Sequence, residues 1–524
     1  MSELVVQDAR MVPLDPTGRA GQDESGATRD SGATVDIRIR DGRIDEVAPG
    51  GSLRPGASVP VLAAQGRWAL PGLWDHHVHM TQWALSYSRL DTSAAADPGH
   101  ACRLVAQALR HGAAHTPTGM LTGWGHRLAE WPRQPTVAEL DAVSGSTPVV
   151  LISGDGHHGW VNSAAQRLLG VSPRQDVVAE EEWFDLYGTL DSLPGAEAES
   201  EAGIPLAVQR ARERGVVGIV DLEFARPWEQ WPQRYAAGVG PWRVRTGVYP
   251  ARLEEIIAMG WRTGTTLPGT GGMVTQGPLK IISDGSLNTR TAWCCEPYAD
   301  GGDLADPAGK ANLSVHQMVE LVARGHAHGL SAALHAIGDA AVSAVLEVFE
   351  VTGARGTIEH AQLLRPADLP RWARLPVTAS VQPAHLLDDR SVTEHCWPDR
   401  AERSFMVGGL LRAGIPVALG SDAPVAPLDP WLAMATAVHR GPPAEPGWHE
   451  EQAISAREAL AASVDGQRLA PGARGDVVLT DADPLGRSGR AGRPSGEVAE
   501  SLRAMSVAAT VIGGTVSVGE SLLR

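Results

Sequence analysis

The sequence predicts an α/β protein: a (β/α)8 barrel accompanied by a small β-sandwich domain that the two chain ends build together. Three observations lead there. Both termini show strand-like patterning, the stretch from about 68 to 465 alternates apolar runs with helical segments, and 524 residues exceed what one ordinary domain needs. The expected division is a composite β-sandwich from residues 1–66 and 466–524, and a barrel over 67–465 with an inserted subdomain at about 97–205.

At the N-terminus, Val35-Asp36-Ile37-Arg38-Ile39-Arg40 alternates apolar and polar residues and meets Asp41-Gly42, a preferred two-residue turn. A hairpin over 35–47 follows. The Gly-, Ser-, Thr- and Asp-rich segment before it, about 15–34, reads as a mobile loop. At the other end, Asp476–Thr480 and Ser506–Ile512 read as strands.

In the middle, the runs Val216–Val220, Leu279–Ile282, Ala332–Leu334, Gly356–Ile358, Val377–Val381 and Val417–Leu419 are each followed by a loop and a helix candidate, Ala340–Val351 and Glu402–Ala413 among them. Repeated β-then-α units call for parallel strands with helices outside. Residues 97–205 hold more elements than one crossover needs: helices near 101–111 and 162–169 and strands near 118–123 and 147–152.

Composition narrows the function classes. Net charge is −16 with scattered arginines, which offers nucleic acid and anionic lipid little attraction. No apolar run approaches the roughly 18 residues of a membrane span, and the first residues lack a basic start and apolar stretch, so the expected location is cytoplasmic. The four cysteines form no CxxC pair and read as reduced thiols. Among 45 basic residues only Lys280 and Lys310 are lysine. A lysine inside a motif therefore needs its own explanation.

The chemistry concentrates at strand ends. In Leu70–His79, a strand would put His77 and His79 on one face, where both can grip one cation. Alone, an HxH pair is weak. His335 follows Ser331-Ala332-Ala333-Leu334 and His360 follows Gly356-Thr357-Ile358-Glu359, each at the C-terminal end of an apolar run, where barrel enzymes place functional groups. Asp422 ends the run 417–421; in isolation it would read as a helix cap, in this company as a general base. Lys280 sits in an apolar strand, where an inward ammonium is costly unless compensated.

The segments PGLWDHHVHM (71–80), LKIISDGSLNTRTAW (279–293), HAIGDAAV (335–342), IEHAQLL (358–364) and GSDAPVAPLDPW (420–431) resemble amidohydrolase family 3, the group that contains N-substituted formamide deformylases. The resemblance implies that His77, His79 and Asp422 hold the more buried metal, that N-carboxylated Lys280 bridges two ions, and that His335 and His360 hold the second. Arginine cannot form such a carbamate, which accounts for the lysine. The cofactor implied is a divalent metal, zinc first, one or two ions per chain. The activity implied is hydrolysis of a non-peptide C–N bond (amide, formamide, N-acyl or cyclic amide) by a metal-bound hydroxide, with Asp422 passing the proton to the leaving nitrogen.

Softer signals accompany these. His157, in a family-like Asp155–Ser163 stretch, and Arg290 could contact substrate; equally, His157 could be a turn residue and Arg290 a loop-fixing ion pair. His76 replaces the small residue usual before the HxH and faces away from its neighbours. Asn288-Thr289 stands where the family commonly has Gly-Ser. An ester, lactone or carbamate hydrolase would use the same site, and a non-catalytic scaffold should have lost some of the six residues, all of which are present. The expected partner is a small-molecule substrate, with a homodimer left open and neither nucleic acid nor membrane.

Overall fold

The computed structural model describes residues 3–524 apart from 15–32, 113–116, 129–130, 155, 157, 192 and 487–493. The expected loop at 15–34 thus falls almost wholly outside the described residues. The chain divides into two compact units: residues 1–78, 208–422 and 426–524 form the first, and residues 79–207 with 423–425 the second.

The first unit contains eight strands in sequential order, β1 (Leu73–Val78), β2 (Val216–Asp221), β3 (Arg243–Val248), β4 (Val274–Ile282), β5 (Ala332–Ala336), β6 (Gly356–His360), β7 (Val377–Val381) and β8 (Val417–Leu419). Every ladder from β1 through β8 is parallel. Parallel strands covered on both faces must be apolar throughout, and all six residues of β2 are buried. The register sets Ile282 beside His335 and Ala336 beside His360, so β4, β5 and β6 bring their functional ends level. The sheet is nearly closed. Where β8 meets β1, the Asp422 N–H donates to the His77 carbonyl at 2.7 Å.

Gly420 makes that approach feasible. A Cβ there would lie 2.9 Å from the His77 backbone nitrogen and 3.1 Å from an Asp75 carboxylate oxygen, too close for any larger residue without backbone movement.

The chain ends join in one eight-stranded sheet, ordered Thr515–Val518, Val507–Ile512, Val477–Thr480, Trp68–Pro71, Glu3–Met11, Val35–Arg40 and Arg43–Pro49, with Val61–Ala63 added beside Glu3–Met11. Its core gathers Leu4, Val6, Ile37, Ile39, Leu62, Val477, Leu479 and Val511. A polar lock fastens this sheet to the barrel: Arg243 on β3 grips Asp476 with two bonds of 2.6 and 2.9 Å. Beside it, Arg245 binds Asp465 at 2.7 and 2.9 Å, Arg474 binds the same carboxylate, and the two guanidiniums lie 4.4 and 5.0 Å from the Trp74 ring.

The second unit holds a five-stranded sheet of Leu90–Asp91, Leu121–His126, Val149–Ser153, His158–Val161 and Val178–Ala179. Helix Pro98–Arg110 starts where the Asp97 carboxylate accepts the His100 N–H at 2.7 Å with Pro98 at the first helical position.

One expected helix differs. Glu402–Ala413 is not continuous but splits into a 3-10 turn, Ala401–Arg403, and a helix, Val407–Arg412. Phe405 between them has φ of +52° and its N–H bonds to the Gln362 carbonyl, so tertiary contact overrides the local helical pattern. Among the described residues, no helix is long and apolar enough to cross a membrane.

Candidate metal centre

Five of the six residues singled out at strand ends sit in the first unit: His77 on β1, Lys280 on β4, His335 on β5, His360 at the end of β6 and Asp422 after β8. His79 directly follows β1, where the chain enters the second unit, and its N–H donates to the carbonyl of Ala423 at 2.9 Å.

The histidines are oriented by their outer nitrogens. Nδ1 of His77 donates to a Glu359 carboxylate oxygen at 2.7 Å, Nδ1 of His335 to Asp284 at 3.0 Å, and Nδ1 of His360 to the Gln382 side-chain oxygen at 2.8 Å. Holding the proton on Nδ1 fixes the tautomer and presents the Nε2 lone pair, the arrangement in which imidazole binds a cation. The rings converge: His360 lies 4.9 Å from His77 and 4.7 Å from His335, centroid to centroid. His77 Nε2 stands 3.5 Å from an Asp422 carboxylate oxygen and 3.4 Å from Lys280 Nζ.

Electrostatics agree with that reading. Burial, then the Lys280 charge, lowers the His77 pKa, and burial with the neighbouring histidine His335 lowers that of His360 well below the ordinary value, so both stay neutral. Burial also lowers the pKa of Lys280, which is 2% exposed, while the Glu359 and Asp422 carboxylates oppose the shift. Glu359 is fully enclosed, which alone would raise its pKa, yet the hydrogen bond from His77 and the Lys280 ammonium hold it below the usual carboxylate range. Asp75 goes the other way: burial raises it to about 6 although it accepts the backbone N–H groups of His77 at 3.1 Å and Ser421 at 2.9 Å.

Two ligand-type residues sit in unusual backbone. His360 has φ of +70° and Asp422 of +59°, left-handed conformations that cost residues with a side chain and concentrate at functional sites.

His385, which strand-end patterning does not single out, also belongs to the site. It lies in the turn after β7, with Nε2 3.9 Å from Asp422 and donating to the Ser421 carbonyl at 3.2 Å. Donor atoms of His360, His385 and Asp422 all fall within 4.8 Å of one another. Because His385 turns an N–H toward this corner, it is set to position Asp422 rather than to offer a lone pair.

Arg290 pairs with Asp300 at 2.8 Å and donates to the Asn288 carbonyl at 2.7 Å, so its fork is spent on its own loop. His157 lies outside the described residues. His76 points away from His77, 3.9 Å from Asp465.

The amidohydrolase family model matches residues 61–518, which is most of the chain and spans every residue of the centre. The chain belongs to the amidohydrolase family. Among its relatives, LONG AFTER FAR-RED 3 of Arabidopsis thaliana is 29% identical over 483 residues, covering 81% of this chain and 78% of that protein. The N-substituted formamide deformylase of Arthrobacter pascens is 24% identical over 505 residues, 86% and 90% of the two chains. An uncharacterized metal-dependent hydrolase from Pyrococcus horikoshii superposes with a TM-score of 0.75 at 20% identity over 92% of this chain and 98% of its own. The fold of this amidohydrolase is thus shared along nearly its whole length.

Proposed function

We propose that this amidohydrolase cleaves a C–N bond outside ordinary peptides, in an amide, formamide, N-acyl or cyclic amide substrate, with one or two divalent ions held by His77, His79, Lys280, His335, His360 and Asp422. The observation that carries the reading is the set of three outer acceptors, Glu359, Asp284 and Gln382, each fixing one inward histidine by its Nδ1. Imidazoles locked in that tautomer, two of them buried and His335 half-buried, around a carboxylate and a lysine suit a cation and little else. His79 joins the set through its place in the HxH motif. Imidazole and carboxylate donors favour zinc.

A divalent ion bound there supplies Lewis acidity, polarising a carbonyl and lowering the pKa of water. The chain's own groups do the rest. Asp422 takes the proton from the attacking water and returns it to the leaving nitrogen. His385 holds the Ser421–Asp422 turn in place. Asp75 ties the backbone of His77 to that of Ser421 and keeps the two sides of the site in register. Burial favours the neutral amine of Lys280, which would react with carbon dioxide: the nitrogen lone pair forms the N–C bond as one C=O π pair moves onto oxygen, an N–H proton then leaves to water, and the neutral amine becomes an anionic carbamate ligand.

The test is a screen of N-acyl, N-formyl, cyclic-amide and ester compounds on protein expressed with zinc or manganese, together with metal analysis. Turnover of the C–N compounds with one or two ions per chain is expected. A fully folded preparation that takes up no metal sinks the proposal, and turnover confined to esters moves the activity to the ester and lactone class. Asp422→Asn should keep the fold and abolish turnover. An unmodified Lys280 in metal-loaded protein, read by mass spectrometry, would remove the carbamate.

A further inference from the structure

We propose that the stacked pair Phe224–Tyr249 forms an aromatic subsite beside the metal centre, so that the substrate of this hydrolase carries a planar aromatic group near the bond it loses; this rests on the hydrolase reading above and names its substrate class.

The pair sits at the functional end of two neighbouring barrel strands. Leu222, just past β2, donates its N–H to the carbonyl of Val78, the last residue of β1, at 2.8 Å. Phe224 follows two residues on, so it emerges level with the end of the strand that carries His77. Tyr249 directly follows β3, and its hydroxyl donates to the Leu222 carbonyl at 2.9 Å. That bond pins the two loops together and lays the rings against each other, centroids 4.8 Å apart and planes inclined by 26°. The Tyr249 hydroxyl is pushed well above its ordinary pKa by burial and then by the carboxylates of Glu223, Asp422, Asp221 and Glu359. Two of those belong to the metal centre, which places this ring within its electrostatic reach.

The residue type is telling. The chain has only four phenylalanines and five tyrosines. Phe349 and Phe405 are buried in ordinary core packing, whereas Phe224 is 54% exposed. A single exposed apolar side chain is unremarkable on a convex surface. Here it is a flat ring braced by a second ring at the catalytic end of a barrel, where loops set specificity. The neighbouring Glu223 is buried, and its carboxylate accepts the Phe224 N–H at 2.9 Å, fixing where the ring stands.

The experiment measures binding of phenylacetohydroxamate and pentanohydroxamate, an aryl and an alkyl probe with the same metal-seeking head, to the full-length metal-loaded protein by calorimetry. Wild type should bind the aryl probe about three- to tenfold more tightly, the range expected for one good ring stack. Phe224→Ala and Phe224→Leu should each abolish that preference with alkyl binding unchanged, and Phe224→Trp should keep it. Absence of an aryl preference in wild type, failure of the aryl probe to bind, or equal loss for both probes in the variants overturns the subsite. If the aryl preference behaves as expected but no C–N compound in the activity screen is turned over, the subsite stands and the hydrolase reading falls.

Discussion

The Glu359 carboxylate on β6 accepts the Nδ1–H of His77 on β1 at 2.7 Å, reaching across the barrel from a residue directly beside another ligand-type histidine. Outer acceptors of this kind are worth about 10- to 100-fold in metal affinity. Glu359→Gln is therefore expected to leave the fold intact and weaken zinc binding by about that factor in competition with a chelating dye. Unchanged affinity would show that His77 is oriented by packing alone.

Gly420→Ala should damage the site more than the fold. The added methyl meets the His77 backbone and the Asp75 carboxylate, so β8 must retreat from β1. Reduced metal content with a near-native circular dichroism spectrum is the expected result; full metal occupancy would show that the backbone shifts at no cost to the centre.

Asp465 supplies a pH dependence. Burial alone would raise its pKa, but Arg245, His76 and Arg474 pull it down to about 2. A depressed carboxylate stabilises the fold fully above its unfolded value, near 3.9, and that contribution is lost as pH falls through about 2. The shift corresponds to about 2 kcal/mol. Urea midpoints at pH 5 and pH 2.5 should separate wild type from Asp465→Asn, with wild type losing about that much more; parallel losses would contradict the assignment.

His385→Ala should lower kcat on the order of tenfold to a hundredfold while metal content stays the same, because the side chain holds the Ser421–Asp422 turn and offers no lone pair. Loss of an ion in this variant would make His385 a ligand instead.

Much of the barrel was legible because parallel strands leave continuous apolar runs, and each run pointed at the polar residue that ends it. What the alternation could not show was Glu359. Strict alternation puts Glu359 and His360 on opposite faces, yet both serve the same centre, because the left-handed turn at His360 redirects its side chain. His385 was hidden for a related reason: it stands in a turn, four residues past Val381, where no periodicity applies. The broken helix at 401–412 was misjudged because Phe405 bonds to Gln362, a contact no local pattern encodes. Arg290 allowed two roles in sequence, and only the position of Asp300 shows how its fork is used.

The bond from Asp422 to the His77 carbonyl falls where the circuit of strands is least knitted, and the side chains of the same two residues stand 3.5 Å apart. A cation shared by them would act as a rivet across that join, so opening of the barrel and release of the ion become one thermodynamic event. Deuterium uptake by the amides of residues 419–422 should then be slow in loaded protein and accelerate sharply on chelation, while the interior of β2 and β5 exchanges at an unaltered pace.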